Sequence, residues 1–275
     1  MGHVVSALLA ILGVLVATFL PFASGGYDPL AEPVADLAWM LGRGGLLLVP
    51  VSALWLRQYR RRPPPSHVPT WLTRLTIGVC ALVSLVLILV AYSFGALFAA
   101  STGVVAGLTT RWLIRRLCAP GRRPARAALL MAVGPLAAVI AQSTLLDSVA
   151  EHARRRGMAN SAPLIAEIEQ YRERHGRYPD SILALYGDVK PAIMGVERYH
   201  YEPSGESYNL LFEEPALAFG LRHFLVYNPR DAQRVTVHET DRLRLDDAGL
   251  DADNAGYTLV QPLRERHWKR FTFRS

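Results

Sequence analysis

Cysteine is nearly absent. There are two in 275 residues, Cys80 inside an apolar run and Cys118 in a basic segment, so neither a structural disulfide nor a cysteine-built metal quartet is indicated. The stretch 148–275 has none. Acid is just as scarce in the first half. Up to Leu146 there are 12 Arg against 3 acids, while from Asp147 onward 18 Lys+Arg face 20 acids, so the formal +7 arises in the first half alone. A pI near 9.7 would ordinarily raise nucleic acid as a partner, but here the basic half also holds the apolar runs, and the charge belongs to membrane topology. No nucleic-acid partner is expected. There is no Gly-rich phosphate loop, and Ser181, Ser204 and Ser207 lie in no nucleophile-elbow context. Glu167, Glu169 and Glu173 alternate with Arg172 and Arg174 on what should be a wet helix face. No catalytic, cofactor or metal residue is assigned, and nothing specifies an enzyme.

What the first half does have is apolar length. A helix rising 1.5 Å per residue needs about 20 residues to cross roughly 30 Å of hydrocarbon. The stretches 4–20, 37–56 and 127–146 qualify, the second interrupted by Arg43 and the third carrying Gly134-Pro135, read as a kink. Between Arg74 and Arg111 lie 36 residues without one charge. As a single helix these would run about 54 Å, too long for ordinary tilt, so the pattern predicts two helices with a turn near 93–96. Charge gives an independent test. The segment 57–74 holds five Arg and the segment 111–126 holds six. Cytoplasmic loops collect Arg and Lys, so both should lie on one side, which requires an even number of crossings between them. Two spans between them satisfy this and one does not, which makes five spans in all.

Orientation follows from the same rule. The loop after the first span carries Asp28, Glu32 and Asp36 with no base, so it reads as outside. The N-terminus and both Arg-rich loops are then inside, and everything after Leu146 is outside. Arg154, Arg155 and Arg156 run against this locally, offset in part by Asp147 and Glu151. Ala23, Ser24 and Gly25 would suit a signal-peptide cleavage site, but the start, Met1-Gly2-His3, lacks the usual basic residues, and a retained anchor is expected. Within the spans the one charge is Arg43, placed near the outer end of its helix, where it can snorkel to the headgroups. Ala99, Gly103 and Gly107 form a small-residue ridge suited to close helix packing.

The second half changes period. Asn160 or Ser161 can cap a helix with Pro163 in its first turn; Leu164, Ile165, Ile168 and Tyr171 recur at helical spacing, and Gly176 supplies the stop. Whether the last span runs unbroken into this helix is open, with Gly157 and Pro163 both arguing for a break. Asp180 can cap a short helix through Ile182, Leu183 and Leu185. Tyr199, Tyr201, Tyr208, Leu210 and Phe212 then share one face of a hairpin turning near Ser204-Gly205. A second hairpin is expected from 221–227 and 234–239, turning at 228–231, with further strands at 257–260 and 268–273. One helix packed on a small antiparallel sheet is the economical α+β fold.

The runs Leu164-Ile165-Ala166-Glu167-Ile168-Glu169-Gln170-Tyr171, His175-Gly176-Arg177-Tyr178-Pro179-Asp180-Ser181-Ile182, Tyr199-His200-Tyr201 and Tyr208-Asn209-Leu210 resemble the globular part of type II secretion pseudopilins and related pilin-like domains. That family has a long amphipathic helix, a Gly-x-Tyr-Pro turn, a short helix and an antiparallel sheet. The resemblance covers about a quarter of the chain, 160–228. It departs from the family in having no prepilin-peptidase site before the first span and five spans in place of one. It therefore implies a fold, not assembly into a pilus.

Two constellations remain. Asp246, Asp247, Asp251, Asp253 and Asn254 form an acidic cluster, but counting from Asp251 the fifth and twelfth positions of a calcium loop are Ala255 and Pro262, so the loop pattern fails; a solvated loop is expected, with a looser calcium site, of the kind some pseudopilins carry, as the alternative. With a four-residue turn at 229–232, Asn228 pairs with Gln233 and His223 falls opposite His238. Phe224, Val226, Val235 and Val237 then form the core face. The two histidines, with His200 as a third ligand, would be a metal site only if the fold brought His200 there; a solvated pair is expected instead.

The expectation is a five-span α-helical membrane bundle over 1–147 followed by an extracytoplasmic, pilin-like α+β domain over 148–275. It would be a bacterial inner-membrane protein that is non-catalytic and presents an interaction or assembly domain to membrane lipids and an envelope protein partner. The competing expectation is an integral membrane enzyme or transporter whose outer domain is a recognition lid.

Overall fold

The computed structural model describes residues 2–61, 70–118, 123–182, 185, 189–204, 206–217, 221–233, 235 and 257–274. The chain divides into two compact units. One comprises Met1–Leu20 and Leu30–Ser148, the other Pro21–Pro29 and Val149–Ser275.

The first unit is helical: α1 (Gly2–Phe19), α2 (Ala31–Gly45), α3 (Leu48–Arg61), α4 (Thr70–Ser93), α5 (Ala96–Leu117) and α6 (Arg123–Asn160), the last continuing into the second unit. By length and composition four stretches are long and apolar enough to cross a membrane: Ala31–Arg60, Thr70–Ser93, Ala96–Leu117 and Ala125–His175; a shorter apolar helix covers Leu8–Phe22. The 36-residue uncharged stretch is two helices, as its length requires, and Gly95 (φ 130°) makes the turn between them. The run 37–56, expected as one helix, is interrupted. Leu46 and Leu47 donate to Arg43 O and Gly44 O, three residues back, and Pro50 has no N–H to continue the ladder to Leu46. Gly45 takes the inside of this bend, where a Cβ would lie 2.9 Å from the ring of Pro135.

Helix α3 is the hub of this unit. Val51, Trp55, Leu72, Leu117, Ala128 and Met131 form its buried cluster. Trp55 Nε1 donates to Thr76 Oγ1 of α4 (2.9 Å), Tyr59 OH to Leu117 O of α5 (2.8 Å), and Ser52 Oγ to Ala128 O of α6. One helix thus hydrogen-bonds to three neighbours, which is how helix pairs gain specificity where lipid offers no hydrophobic drive.

The second unit holds the C-terminal part of α6, α7 (Ala162–His175) and a five-stranded antiparallel sheet. The strands are β1 (His200–Ser204), β2 (Ser207–Glu214), β3 (Leu221–Tyr227), β4 (Tyr257–Pro262) and β5 (Trp268–Arg274), in the order β1-β2-β3-β5-β4. The first hairpin pairs as expected, Tyr201 with Leu210 and Pro203 with Tyr208. One sheet face carries Tyr208, Leu210, Phe212 and Leu225, all buried; the other carries Leu211, Val226, Phe271 and Phe273, with Val235 packed against them.

Two expectations need correction here, and one open question is answered. First, β3 does not pair with 234–239. Its two edges are filled by β2 and β5, with His223 opposite Glu214 on one side and Thr272 on the other. His238, the expected partner of His223, lies outside the described residues. His200, paired with Leu211, points to the opposite sheet face from His223, so these two described histidines do not converge on one metal position. Second, α6 passes straight through Gly157 and stops only at Ser161, before α7 begins. Third, neither Asn160 nor Ser161 caps α7 by its side chain. Ser161 Oγ donates to Met158 O, and Asn160 Nδ2 to Pro191 O (2.7 Å). One residue separates the two helices, so Ser161 O already accepts from Ile165 N and the ladder hardly lapses. Gly176 does end α7, in the left-handed conformation (φ 72°). The short helix expected after Asp180 and the acidic cluster Asp246, Asp247, Asp251 and Asp253 fall largely or wholly outside the described residues.

Candidate functional site

Three arrangements stand out, two in the second unit and one in the first. The first is a clasp. Residues 21–29, which follow α1, pair with 192–195: Ser24 bridges Ile193 antiparallel. Gly25 N donates to Ala192 O (3.2 Å), Met194 N to Ala23 O (2.9 Å), Gly195 N to Pro21 O (2.8 Å) and Asp28 N to Met194 O (2.9 Å). Phe22, Ile193 and Val196 are buried beside them. Gly195 is required by this approach, since a Cβ there would stand 2.8 Å from Pro21 Cβ and from Pro215 Cγ. Sequence reasoning missed the clasp. Its backbone pairing lies outside any long strand, and only Gly25-Gly26 and Gly195 hint at close backbone approach.

The second is the contact between α6 and the sheet, written at one-turn spacing. Arg154 reaches Glu214; Gly157 sits against Phe212; Asn160 holds Pro191. Tyr199 OH donates to Gly157 O, and its ring meets Phe212 edge-on. The carboxylate of Glu214 is 2% exposed and lies between two guanidinium groups. Arg154 Nε and Nη2 donate to its Oε1 (3.0 and 2.8 Å), whereas Arg270 Nε lies 2.9 Å from Oε2 outside hydrogen-bond geometry. Burial, and then the fields of Arg270 and Arg154, push the neighbouring His223 imidazole down to about 4; Glu213 opposes them more weakly. His223 Nδ1 is 3.0 Å from Thr272 Oγ1. A cleft beside this network, lined by Arg154, Arg155, Arg264, Glu151 and Glu265, holds mixed charge, and Glu151 already binds both Arg154 and Arg155. All of this is the chemistry of a cross-brace between helix and sheet. Tyr178 extends it, stacking edge-on against Tyr208 and accepting from Arg172 (3.1 Å). The expected burial of Ile168 is observed, while Tyr171 is half-buried and stacks on His175 instead.

The third lies among the helices of the first unit. Gln142 is fully buried; its amide donates to Thr18 Oγ1 (2.8 Å) and to Ala38 O (3.2 Å), linking α6 to α1 and α2, while its Oε1 has no partner among the described residues. Gly42 makes room for that oxygen, which would stand 2.6 Å from a Cβ. One turn away, at Ala138, begins a cavity of about 460 Å³ between α1, α2, α5 and α6, walled by Ile11, Val14, Leu41, Leu130 and Pro135 and lined also by Arg116 and Arg126. A second, of about 390 Å³, lies between α2, α4 and α5. Arg43, expected to snorkel, lays its guanidinium over the Trp39 ring, 3.2 Å from the centroid and one turn toward the start of α2. Of the small-residue ridge, Ala99 is buried and Gly103 lies against Ile88, but Gly107 faces open space. Among the described residues no three His, Cys, Asp or Glu side chains converge as a metal site.

No family model, curated protein or solved structure matches this chain.

Proposed function

We propose that the chain is a bacterial inner-membrane protein of five spans that holds a folded, non-catalytic interaction domain on the periplasmic side. The observation that carries this reading is the clasp. Residues 21–29 belong to the same compact unit as 149–275. A loop and a domain that fold together lie on one side of a membrane, so an even number of crossings must separate them. The apolar stretches 31–60, 70–93, 96–117 and 125–146 supply four, and α1 supplies the fifth span before the loop. The acid-only loop and the eleven arginines in the two basic segments give the same orientation by an independent route. The bonds through Ala23 and Gly25 favour an anchor that stays attached. The helix, Tyr-Pro turn and antiparallel sheet support a pilin-like layout in the outer domain, whose polar residues serve packing and ion pairing; the exposed end of α7, at Glu173 and Arg174, is the surface offered to an envelope protein.

The test has two arms. A reporter that is active only outside the cytoplasm should work when fused after Ser275. A photo-crosslinker at position 173 or 174 should trap one reproducible envelope protein in cells. A signal from a cytoplasmic reporter alone would contradict the topology, and absence of any discrete adduct would contradict the interaction role. The competing reading, a membrane enzyme or transporter, is favoured by one observation, the cavity lined in part by Arg116 and Arg126. Turnover or transport of a lipid-like compound by the purified chain would establish it.

A further inference from the structure

The cavity between α1, α2, α5 and α6 joins two chemistries. Its walls are aliphatic, from Ile11, Val14, Leu41 and Leu130, and it is also lined by Arg116, near the end of α5, and Arg126, near the start of α6. At about 460 Å³ it is in the range of sites that enclose a small molecule or a lipid chain. Neither arginine has an acidic neighbour on its own helix within the apolar half. No Asp or Glu occurs anywhere in 37–146, and along α6 the first acid after Arg126 is Asp147, about 30 Å away. Trp112 lies one turn below Arg116, its ring 5.5 Å from the guanidinium, the pairing that sets a helix end at the headgroup level. An arginine with an apolar slot beneath it and no carboxylate beside it matches a ligand with a hydrocarbon tail and an anionic head.

We propose that this cavity binds an anionic glycerophospholipid, one acyl chain lying along α6 past Pro135 and the phosphate held between Arg116 and Arg126. The proposal rests on the membrane reading above but not on its count of spans. Both arginines flank the basic segment assigned to the cytoplasmic side, so the lipid belongs to that leaflet, where anionic headgroups give the surface its negative potential.

The experiment uses the full chain. Retention in the membrane pellet after an alkaline wash tests the membrane reading by itself. The extracted chain, delipidated in detergent and incubated with phosphatidylglycerol or phosphatidylethanolamine, is then examined by native mass spectrometry. One phosphatidylglycerol should remain bound per chain, with phosphatidylethanolamine at least about tenfold weaker. Arg116→Gln with Arg126→Gln should remove that preference, and Lys at both positions should restore most of it. Leu130→Trp, which fills the slot and leaves the arginines, should reduce both lipids. Arg57→Gln with Arg60→Gln, in the other basic segment, should change neither. Melting in detergent checks that each variant is folded. Equal retention of the two lipids by the wild-type chain, an equal loss in the Arg57 and Arg60 variant, or no loss in Leu130→Trp would each overturn the proposal.

Discussion

A methyl group at position 157 would stand 2.6 Å from Cζ of Phe212 and 3.1 Å from Cδ1 of Ile193, so the absence of a side chain there lets α6 lie on the sheet. Gly157→Val should destabilise the second unit by about 1–3 kcal/mol, the cost of overpacking, and should be visible as a lower melting temperature of the full chain in detergent. The same residue reads in the sequence as a helix breaker. Its propensity was outweighed by packing, because the helix needs that position bare. His223 makes a second residue-scale prediction. Its folded pKa of about 4 lies below the ordinary value of 6.5, so the unfolded chain takes up a proton first as the pH falls. The unfolded state therefore binds more protons between about 6.5 and 4, and stability falls across that window as the pH is lowered. Thermal melts of the wild-type chain and His223→Gln should diverge between pH 7 and pH 4, with the variant losing less. Parallel curves would remove His223 from the account. His223 itself was visible to sequence reading, but its neighbours were not. The alternation of 221–227 gives the face on which each side chain lies, and a turn signal at Asn228-Pro229 suggests the next strand as partner. The partner is instead β5, more than forty residues on. Long-range pairing of that kind leaves no local mark.

At the scale of elements, α3 shows how the helical unit is held. It carries Trp55, Ser52 and Tyr59 on one side, each donating to a different helix. Trp55→Phe removes one interhelical bond and should cost about 0.6 kcal/mol, the usual worth of such a bond inside a membrane. Trp55→Ala also leaves a void in the buried cluster with Leu72 and Leu117 and should cost about 3–5 kcal/mol. Unfolding of the detergent-solubilised chain monitored by far-UV circular dichroism separates the two; similar losses would mean that the hydrogen bond, not the packing, dominates. The position of the helices could be read from apolar length and charge parity, which are properties of single segments. The interruption between α2 and α3 had its causes in plain view, Gly44, Gly45 and Pro50. Their effect depends on α6 offering Pro135 to the space they leave. Gln142 was legible only as a polar residue in an apolar run, since its partners Thr18 and Ala38 are more than a hundred positions away.

At the scale of the molecule, the account stands on residues 21–29 folding with 149–275 and on both lying outside the cytoplasm. Ser24 and Ile193 are directly opposed in an antiparallel bridge, and the flanking bonds between 25 and 192 and between 194 and 23 make them the close, non-hydrogen-bonded kind of pair. Cysteines at such positions are within reach of a disulfide. Ser24→Cys with Ile193→Cys, in a background with Cys80 and Cys118 replaced by Ala, can therefore be expressed in cells with an oxidising periplasm and a reducing cytoplasm. The account predicts that the two thiols join without added oxidant, while the single variant Ser24→Cys, at an exposed position, stays free and reacts with a membrane-impermeant maleimide from outside. Failure of the pair to join, with the Ser24→Cys thiol reacting only after the membrane is breached, would contradict it.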